Sequence, residues 1–179
     1  MTEPQSETTP FWRFSLHVYR QPGVADACIA LQDGCGVDVN VLLYLLWRAA
    51  DRRLFSADDV KTIDGTVRDW RQLTVIPLRE LRRKLKATPT AVEPLKQEGF
   101  RTKIKGVELE AERLQQEALF ALAHAGPLGG EAAPPDAARG NIAAYERVLG
   151  ASFPKTAVEA VLAAFSGLKY GDFAGGPAQ

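Results

Sequence analysis

The segment of residues 39–47, VNVLLYLLW, constrains the fold more than any other part of the sequence. Apart from Asn40 it is wholly apolar, so a helix formed here would be apolar on every face for two turns. Such a helix has to be buried, because no face of it can be left in water without exposing apolar surface. Its longest unbroken apolar run, residues 41–47, is far shorter than the roughly 20 residues that cross a bilayer. The segment therefore predicts a central helix surrounded by other helices.

The rest of the sequence predicts a single compact all-α domain of about seven to eight helices around this central helix. A chain of 179 residues with 46% hydrophobic and 25% charged residues has the size and composition of one globular domain. Apolar residues recur at helical spacing, and no segment alternates as a strand would. We expect a flexible N-terminal arm over residues 1–10, a helical domain over 11–168 and a flexible tail over 169–179. The Gly- and Pro-rich loop 125–136 is the expected place for disorder within the domain.

Prolines and spacing predict where the middle helices begin and end. The fourth helix is expected to carry a buried stripe that ends with Trp70. Pro77 can then start a separate fifth helix, because a proline at the first turn leaves no hydrogen bond unmade. The prolines within 88–94 are expected to leave an irregular connection as far as Lys105. A long helix is expected over 107–124.

The polar residues at the start of the central helix allow two interpretations. Asp38 immediately precedes the apolar run, so its carboxylate can accept hydrogen bonds from the first turn, a cap typically worth ~1 kcal/mol. Alternatively, Asp33, Asp38 and Asn40 surround two glycines beside an apolar interior and form a small-molecule-binding site. The spacing DGCGVDVN does not match a calcium-binding loop. The first interpretation is sufficient without a ligand, and the second stays open.

The charge of the chain is unevenly distributed although its formal net charge is zero. Residues 61–105 hold 12 Lys and Arg and 5 Asp and Glu, a net charge of +7. We call the main cationic residues the basic belt: Arg79, Arg82, Arg83, Lys84, Lys86, Arg101, Lys103 and Lys105. All except Lys84 are candidate partner-binding residues, although the belt could equally be a set of solvated helix faces. A nucleic acid or ribosomal partner is weakly supported, because nucleic-acid-binding domains are usually basic overall.

The sequence offers no support for a reaction. It contains no nucleophile elbow, phosphate-binding loop or dinucleotide fingerprint. Its two cysteines are too few for a disulfide framework or a paired-cysteine zinc site. Cys28 lies on an apolar stripe and is expected to be inert, whereas Cys35 in a glycine loop is the more reactive candidate. No catalytic residue, metal or cofactor is predicted. The sequence does not decide whether the protein is an enzyme, and it favours a protein that is not.

The segment 11–47 resembles a known family. The matching residues form the pattern LQD…G-x-DVN-x-LL…W: Leu31, Gln32, Asp33, Gly36, Asp38, Val39, Asn40, Leu42, Leu43 and Trp47. The pattern is similar to that of a family of bacterial, mainly proteobacterial, proteins without an assigned activity. The resemblance implies a bacterial, cytoplasmic and helical protein, and it assigns no role to any residue.

These observations lead to two functional hypotheses. The first is a non-enzymatic cytoplasmic interaction protein (an adaptor, chaperone or regulator) that binds an unidentified protein partner through the basic belt. The second is a small-molecule-binding protein or enzyme with a pocket at the N-terminus of the central helix. The polar, acidic N-terminus lacks the basic start and apolar core of a secretory signal, which favours the cytoplasm. Oligomeric state is not predicted.

Overall fold

Eight α-helices account for most of residues 9–126 and 128–168, the parts of the chain that the computed structural model describes. They are α1 (Pro10–Tyr19), α2 (Val24–Cys35), α3 (Val39–Ala50), α4 (Ala57–Trp70), α5 (Ile76–Ala87), α6 (Pro94–Leu122), α7 (Pro134–Leu149) and α8 (Lys155–Ser166). Two short strands, β1 (Arg53–Leu54) and β2 (Gly130–Glu131), pair antiparallel and were not expected from the sequence. The predicted all-α fold class is confirmed. None of the described helices is long and apolar enough to span a membrane.

The helix α3 lies at the centre of the fold, as its sequence predicts. Every residue from Asn40 to Trp47 is buried, and α1, α6 and α7 pack around the helix. The ring of Phe11 in α1 stacks on that of Trp47 with the ring centroids 5.3 Å apart. Because burying one side chain of this size stabilises a fold by roughly 1.5–3 kcal/mol, α3 is the main apolar anchor of the domain.

The irregular connection predicted as far as Lys105 is wrong. α6 begins at Pro94 and continues for 29 residues, so only residues 88–93 separate it from α5. Pro94 occupies the first turn, where its missing N–H leaves no hydrogen bond unmade. The Gln97 side chain donates to the carbonyl oxygens of Leu85 and Thr88, which closes the connection. α5 and α6 thus form an antiparallel pair, which we call the α5–α6 hairpin.

The predicted fifth helix is confirmed, with Pro77 in its first turn, but no loop separates it from α4. α4 continues into α5 through a π-helical segment, Arg71–Val75, in which the N–H of Ile76 donates to the carbonyl oxygen of Arg71 five residues earlier. Pro77 has no N–H to donate, so a regular α-helical ladder would be interrupted at this point in any case. Trp70 does not complete a buried stripe: it is 39% exposed, and its Nε1 donates to the carbonyl oxygen of Ala111 at 2.9 Å.

Of the two C-terminal helices, α7 packs on α3, and α8 packs on α2 and α7. Asn141 in α7 is fully buried; its Nδ2 donates to the carbonyl oxygens of Leu45 and Arg53, and its Oδ1 accepts from the N–H of Phe55. The predicted loop 125–136 is shorter than expected, because it contains β2 and the first turn of α7.

The predicted N-terminal arm ends earlier than expected. Pro10 is the first residue of α1, and the side chain of Thr9 caps that helix by accepting from the N–H of Trp12. Residues 1–8, and the predicted tail 169–179, lie outside the described residues.

Candidate ligand-binding site

A cavity of about 480 Å³ lies between α1, α2 and α3 on one side and the α5–α6 hairpin on the other. One part of its wall is apolar and includes Trp12, Leu16, Tyr19, Ile29, Leu43 and Leu109. The other part is charged: five cationic side chains (Arg20, Arg79, Arg82, Arg83, Lys105) and three acidic ones (Asp38, Glu108, Glu112) line it. A volume of this size, with an apolar wall and a few polar groups, is typical of small-molecule sites.

Asp38 and Asn40, two of the three ligand-binding residues predicted from the sequence, both line this cavity. Asp38 also caps α3, because its Oδ1 accepts from the N–H groups of Asn40 and Val41 at 2.8 and 3.3 Å. Its Oδ2 accepts from Arg71 Nη1 at 2.8 Å and from Gln115 Nε2 at 2.6 Å. The capping interpretation is therefore confirmed, and four donors already occupy the carboxylate.

Arg71 does not line the cavity but holds Asp38, which does, and sequence reasoning missed it. Its guanidinium lies between Asp38 and Asp64, with both Nη1–oxygen distances at 2.8 Å, and all three side chains are largely buried. Burial alone would lower the pKa of Arg71, but the hydrogen bonds to Asp64 and Asp38 outweigh it and raise that pKa. The phenol oxygen of Tyr145 accepts from the N–H of Asp38, and burial raises the pKa of this phenol. Of these residues Asp38 lines the cavity, so the buried network fixes the position of that carboxylate.

Two polar atoms beside the cavity lack a hydrogen-bond partner among the described residues. The Nε2 of Gln116 donates to Asn40 Oδ1 at 2.8 Å, but its Oε1 is buried and unpartnered. The Oγ of Ser15 is likewise buried and unpartnered. Both residues are only 3% exposed and both line the cavity. Since buried polar atoms are nearly always hydrogen-bonded, these two side chains are the cavity-lining residues that lack the usual partner.

The hairpin contributes ion pairs to the charged wall. Arg79 donates to Glu108 and, at 2.7 Å, to Glu112, and Arg82 donates through Nε and Nη2 to Glu108. Burial raises the pKa of Glu112, although the charge of Arg79 opposes the shift. Glu108 is 5% exposed, so these arginines neutralise a buried carboxylate. These ion pairs fix both arginines in place on the lining of the cavity.

The remaining predicted residues divide between the cavity and the outer surface. Arg83 lines the cavity and pairs with Asp33, the third predicted ligand-binding residue, which is exposed and outside the cavity. The hydrogen bond with Arg83 holds the pKa of Asp33 below its ordinary value. Lys105 lines the cavity. The other belt residues lie outside it: Lys84, Lys86, Arg101 and Lys103. The structure therefore brings part of the basic belt to the same cavity as Asp38 and Asn40.

Neither cysteine is placed in this cavity. Cys28 is buried in the core, and burial raises the pKa of its thiol to about 12. Cys35 is half-buried, with its Sγ 3.6 Å from the carbonyl oxygen of Ser152. Within the described ranges, no group of three or more His, Cys, Asp or Glu side chains is arranged to hold a metal ion.

The sequence was compared with known protein families, curated proteins and solved structures. The family model described as "Protein of unknown function (DUF2390)" matches residues 10–119. The chain belongs to this family. The match includes every cavity-lining residue, from Trp12 to Gln116, whereas α7 and α8 lie beyond its end. No curated protein and no solved structure matches the chain.

Proposed function

We propose that the protein binds a small amphipathic anion in the cavity between α3 and the α5–α6 hairpin. The observation that carries the proposal is the pair of buried, unpartnered polar atoms, Ser15 Oγ and Gln116 Oε1, beside a cavity with both an apolar and a cationic wall. No residue in the described part of the chain satisfies these atoms, so a bound molecule with a hydrogen-bonding group would be stabilised there.

The charges of the wall select the sign of the ligand. Five cationic and three acidic side chains line the cavity, and the carboxylate of Asp38 is already neutralised by Arg71. Three of the cavity cations pair with Asp33, Glu108 and Glu112, whereas Arg20 and Lys105 make no ion pair within the described residues. An anionic group near Arg20 and Lys105 would gain charge-assisted hydrogen bonds, which are about twice as strong as neutral ones. The apolar wall formed by Trp12, Leu43 and their neighbours would bury a hydrocarbon or aromatic portion. A carboxylate with an apolar tail combines both features.

Binding can be tested by calorimetry and thermal shift with a defined set of probes. We expect octanoate, phenylpropanoate and naphthoate to bind, and octanol and octylammonium, which lack the negative charge, to bind more weakly. The double variant Arg20→Gln/Lys105→Gln removes the two cavity cations that make no ion pair within the described residues, and we expect about a tenfold or greater loss of carboxylate affinity. Its matched control, Arg101→Gln/Lys103→Gln, removes two cations outside the cavity and should leave the affinity unchanged.

Several results would count against this function. Binding that is insensitive to the sign of the probe, or equally weakened in both double variants, would show that the cavity does not select an anion. Ser15→Ala provides a separate check, because it removes an unpartnered hydroxyl. We expect this variant to fold with unchanged or higher stability and to bind the carboxylates less tightly.

The second candidate function is that of an interaction protein, and its binding surface would be an apolar one instead of the basic belt. Among the described residues, nine of the eleven exposed large apolar side chains lie within residues 70–114, and Leu95 is 81% exposed. By contrast, Arg79, Arg82 and Arg83 pair with acids of the same chain, so they are poor contacts for an acidic macromolecule. An adaptor role in a bacterial cytoplasm would therefore use the apolar outer face of the hairpin. Loss of a purified partner from the Leu95→Lys variant, with binding of octanoate retained, would favour it.

A further inference from the structure

The outer face of α6 carries exposed apolar side chains at a regular interval. Phe100, Val107 and Leu114 are seven residues apart and are 53%, 53% and 39% exposed. Seven residues correspond to nearly two helical turns, so the three side chains form one stripe along the helix. Ala121 is exposed and extends the same spacing. The indole of Trp70, bonded to the carbonyl of Ala111, lies at one border of this stripe and is also partly exposed.

Two glycines lie beside this stripe at positions where the contacts within one chain do not require glycine. Gly99 and Gly106 lie inside α6 and are also seven residues apart. A glycine inside a helix is less favourable than alanine by about 1 kcal/mol. A Cβ atom added at either position would meet nothing within 4 Å, so the packing of one chain does not require glycine there. Small residues at such positions allow another helix to approach closely.

Two charged residues lie between the stripe and the glycines, and they can pair with the same two residues of a second copy of the chain. Lys103 and Glu110 are again seven residues apart on this face, and both are exposed. In the described part of the chain Lys103 makes no ion pair, whereas Glu110 contacts Arg113 on the helix surface. If two α6 helices pack antiparallel with the two-fold axis between Gly106 and Val107, Lys103 of each copy lies opposite Glu110 of the other. The same register places Phe100 of each copy beside Leu114 of the other.

We infer that the protein forms a homodimer through the outer face of α6, with the two helices antiparallel about Gly106 and Val107. The symmetry makes the interface self-complementary, because one two-fold axis satisfies two Lys–Glu pairs at once. A parallel arrangement would set Lys103 against Lys103 and Glu110 against Glu110, which is unfavourable. A partner lacking this charge order would leave Lys103 without an opposite charge, since Glu110 already contacts Arg113. The second copy is therefore the occupant that the face fits.

Charge reversal tests the inference through the molecular mass in solution. We expect wild type to be dimeric in light scattering and sedimentation experiments. Lys103→Glu or Glu110→Lys creates two like-charge contacts per dimer and should raise the dissociation constant about tenfold or more. The double variant Lys103→Glu/Glu110→Lys restores opposite charges across the axis and should restore the dimer. Lys61→Glu, an equal charge change on exposed α4, should have no effect.

Cysteine substitution tests the direction of pairing. Under oxidising conditions Val107→Cys, next to the axis, should form an interchain disulfide, and Leu114→Cys, which faces Phe100 and Gly99 of the other copy, should not. Wild type under the same conditions controls for Cys28 and Cys35. A monomeric wild type at every accessible concentration would overturn the inference. So would a double charge variant that stays as dissociated as the single ones, or equal disulfide formation at both cysteine positions.

Discussion

The contribution of the Asp38–Arg71 network to stability can be measured by removing its shared carboxylate. Asp38→Ala deletes the α3 cap, worth ~1 kcal/mol, and leaves Arg71 and Gln115 with an unmet donor. Removing one partner of a buried ion pair lowers the free energy of unfolding by about 3–5 kcal/mol. Because Asp64 still pairs with Arg71, we expect the lower end of that range. The total expected loss is about 4 kcal/mol, a large fraction of the ~5–15 kcal/mol typical of a domain.

Two further variants separate the cap from the buried charge. Ser56→Ala removes an exposed capping box from α4 and should lower the free energy of unfolding by only about 1 kcal/mol. Asp38→Asn keeps an oxygen that can cap α3, but its amide opposes the Arg71 guanidinium. We therefore expect Asp38→Asn to lower the free energy of unfolding by more than Ser56→Ala and by less than Asp38→Ala.

Urea unfolding followed by circular dichroism, at one fixed protein concentration, measures these differences. If the slope of the unfolding free energy against urea concentration is the same in every variant, the variants expose the same surface area on unfolding. If Asp38→Ala loses no more stability than Ser56→Ala, the buried contact with Arg71 contributes nothing and our reasoning is refuted.

Three other expectations concern single residues. Because burial raises the pKa of the Cys28 thiol to about 12, iodoacetamide near neutral pH should label Cys35 in the folded protein and Cys28 only after unfolding, as intact mass will show. Asn141→Ala leaves one N–H and two carbonyl groups without their partner and should lower the free energy of unfolding by about 3 kcal/mol or more; a change under 1 kcal/mol would contradict this estimate. Burial raises the folded-state pKa of Glu112 above 4.5, so its contribution to stability is largest below that pH and is lost as the pH rises through the folded-state pKa. Stability measured against pH should therefore fall more steeply above pH 4.5 in wild type than in Glu112→Gln.

The central helix and its cap could be predicted because their signals are local. An apolar segment preceded by Asp38 requires a buried helix with a capped start, whatever the rest of the fold is. The hairpin could not be predicted in the same way, since the prolines and glycines of residues 88–106 indicate irregular structure when considered alone. Packing of α6 along α5 and α4 overrides that local preference, as tertiary context commonly does.

The candidate site was predicted in parts but not as a whole. Asp38 and Asn40 were assigned to one hypothesis and Arg82 and Lys105 to another, yet they line one cavity. Their convergence depends on the hairpin folding back onto α1 and α3. The same folding brings Glu108 to Arg82, two residues that are 26 positions apart in the chain, and so neutralises charge that the sequence places in a basic region. The burial of Arg71 could not be predicted, because none of the residues near it in the sequence indicates that its side chain points into the protein.

The position of α7 has a consequence for the relation between shared sequence and folding. The family match ends at residue 119, but α7 covers one side of α3, and its Tyr145 hydroxyl accepts from the backbone of Asp38. A chain cut after residue 119 would keep all the side chains around the cavity and lose the wall that holds α3 in place. We therefore expect a chain cut at the end of the family match to be less stable than one that keeps α7. Any fragment intended to report on the shared part has to carry α7 with it.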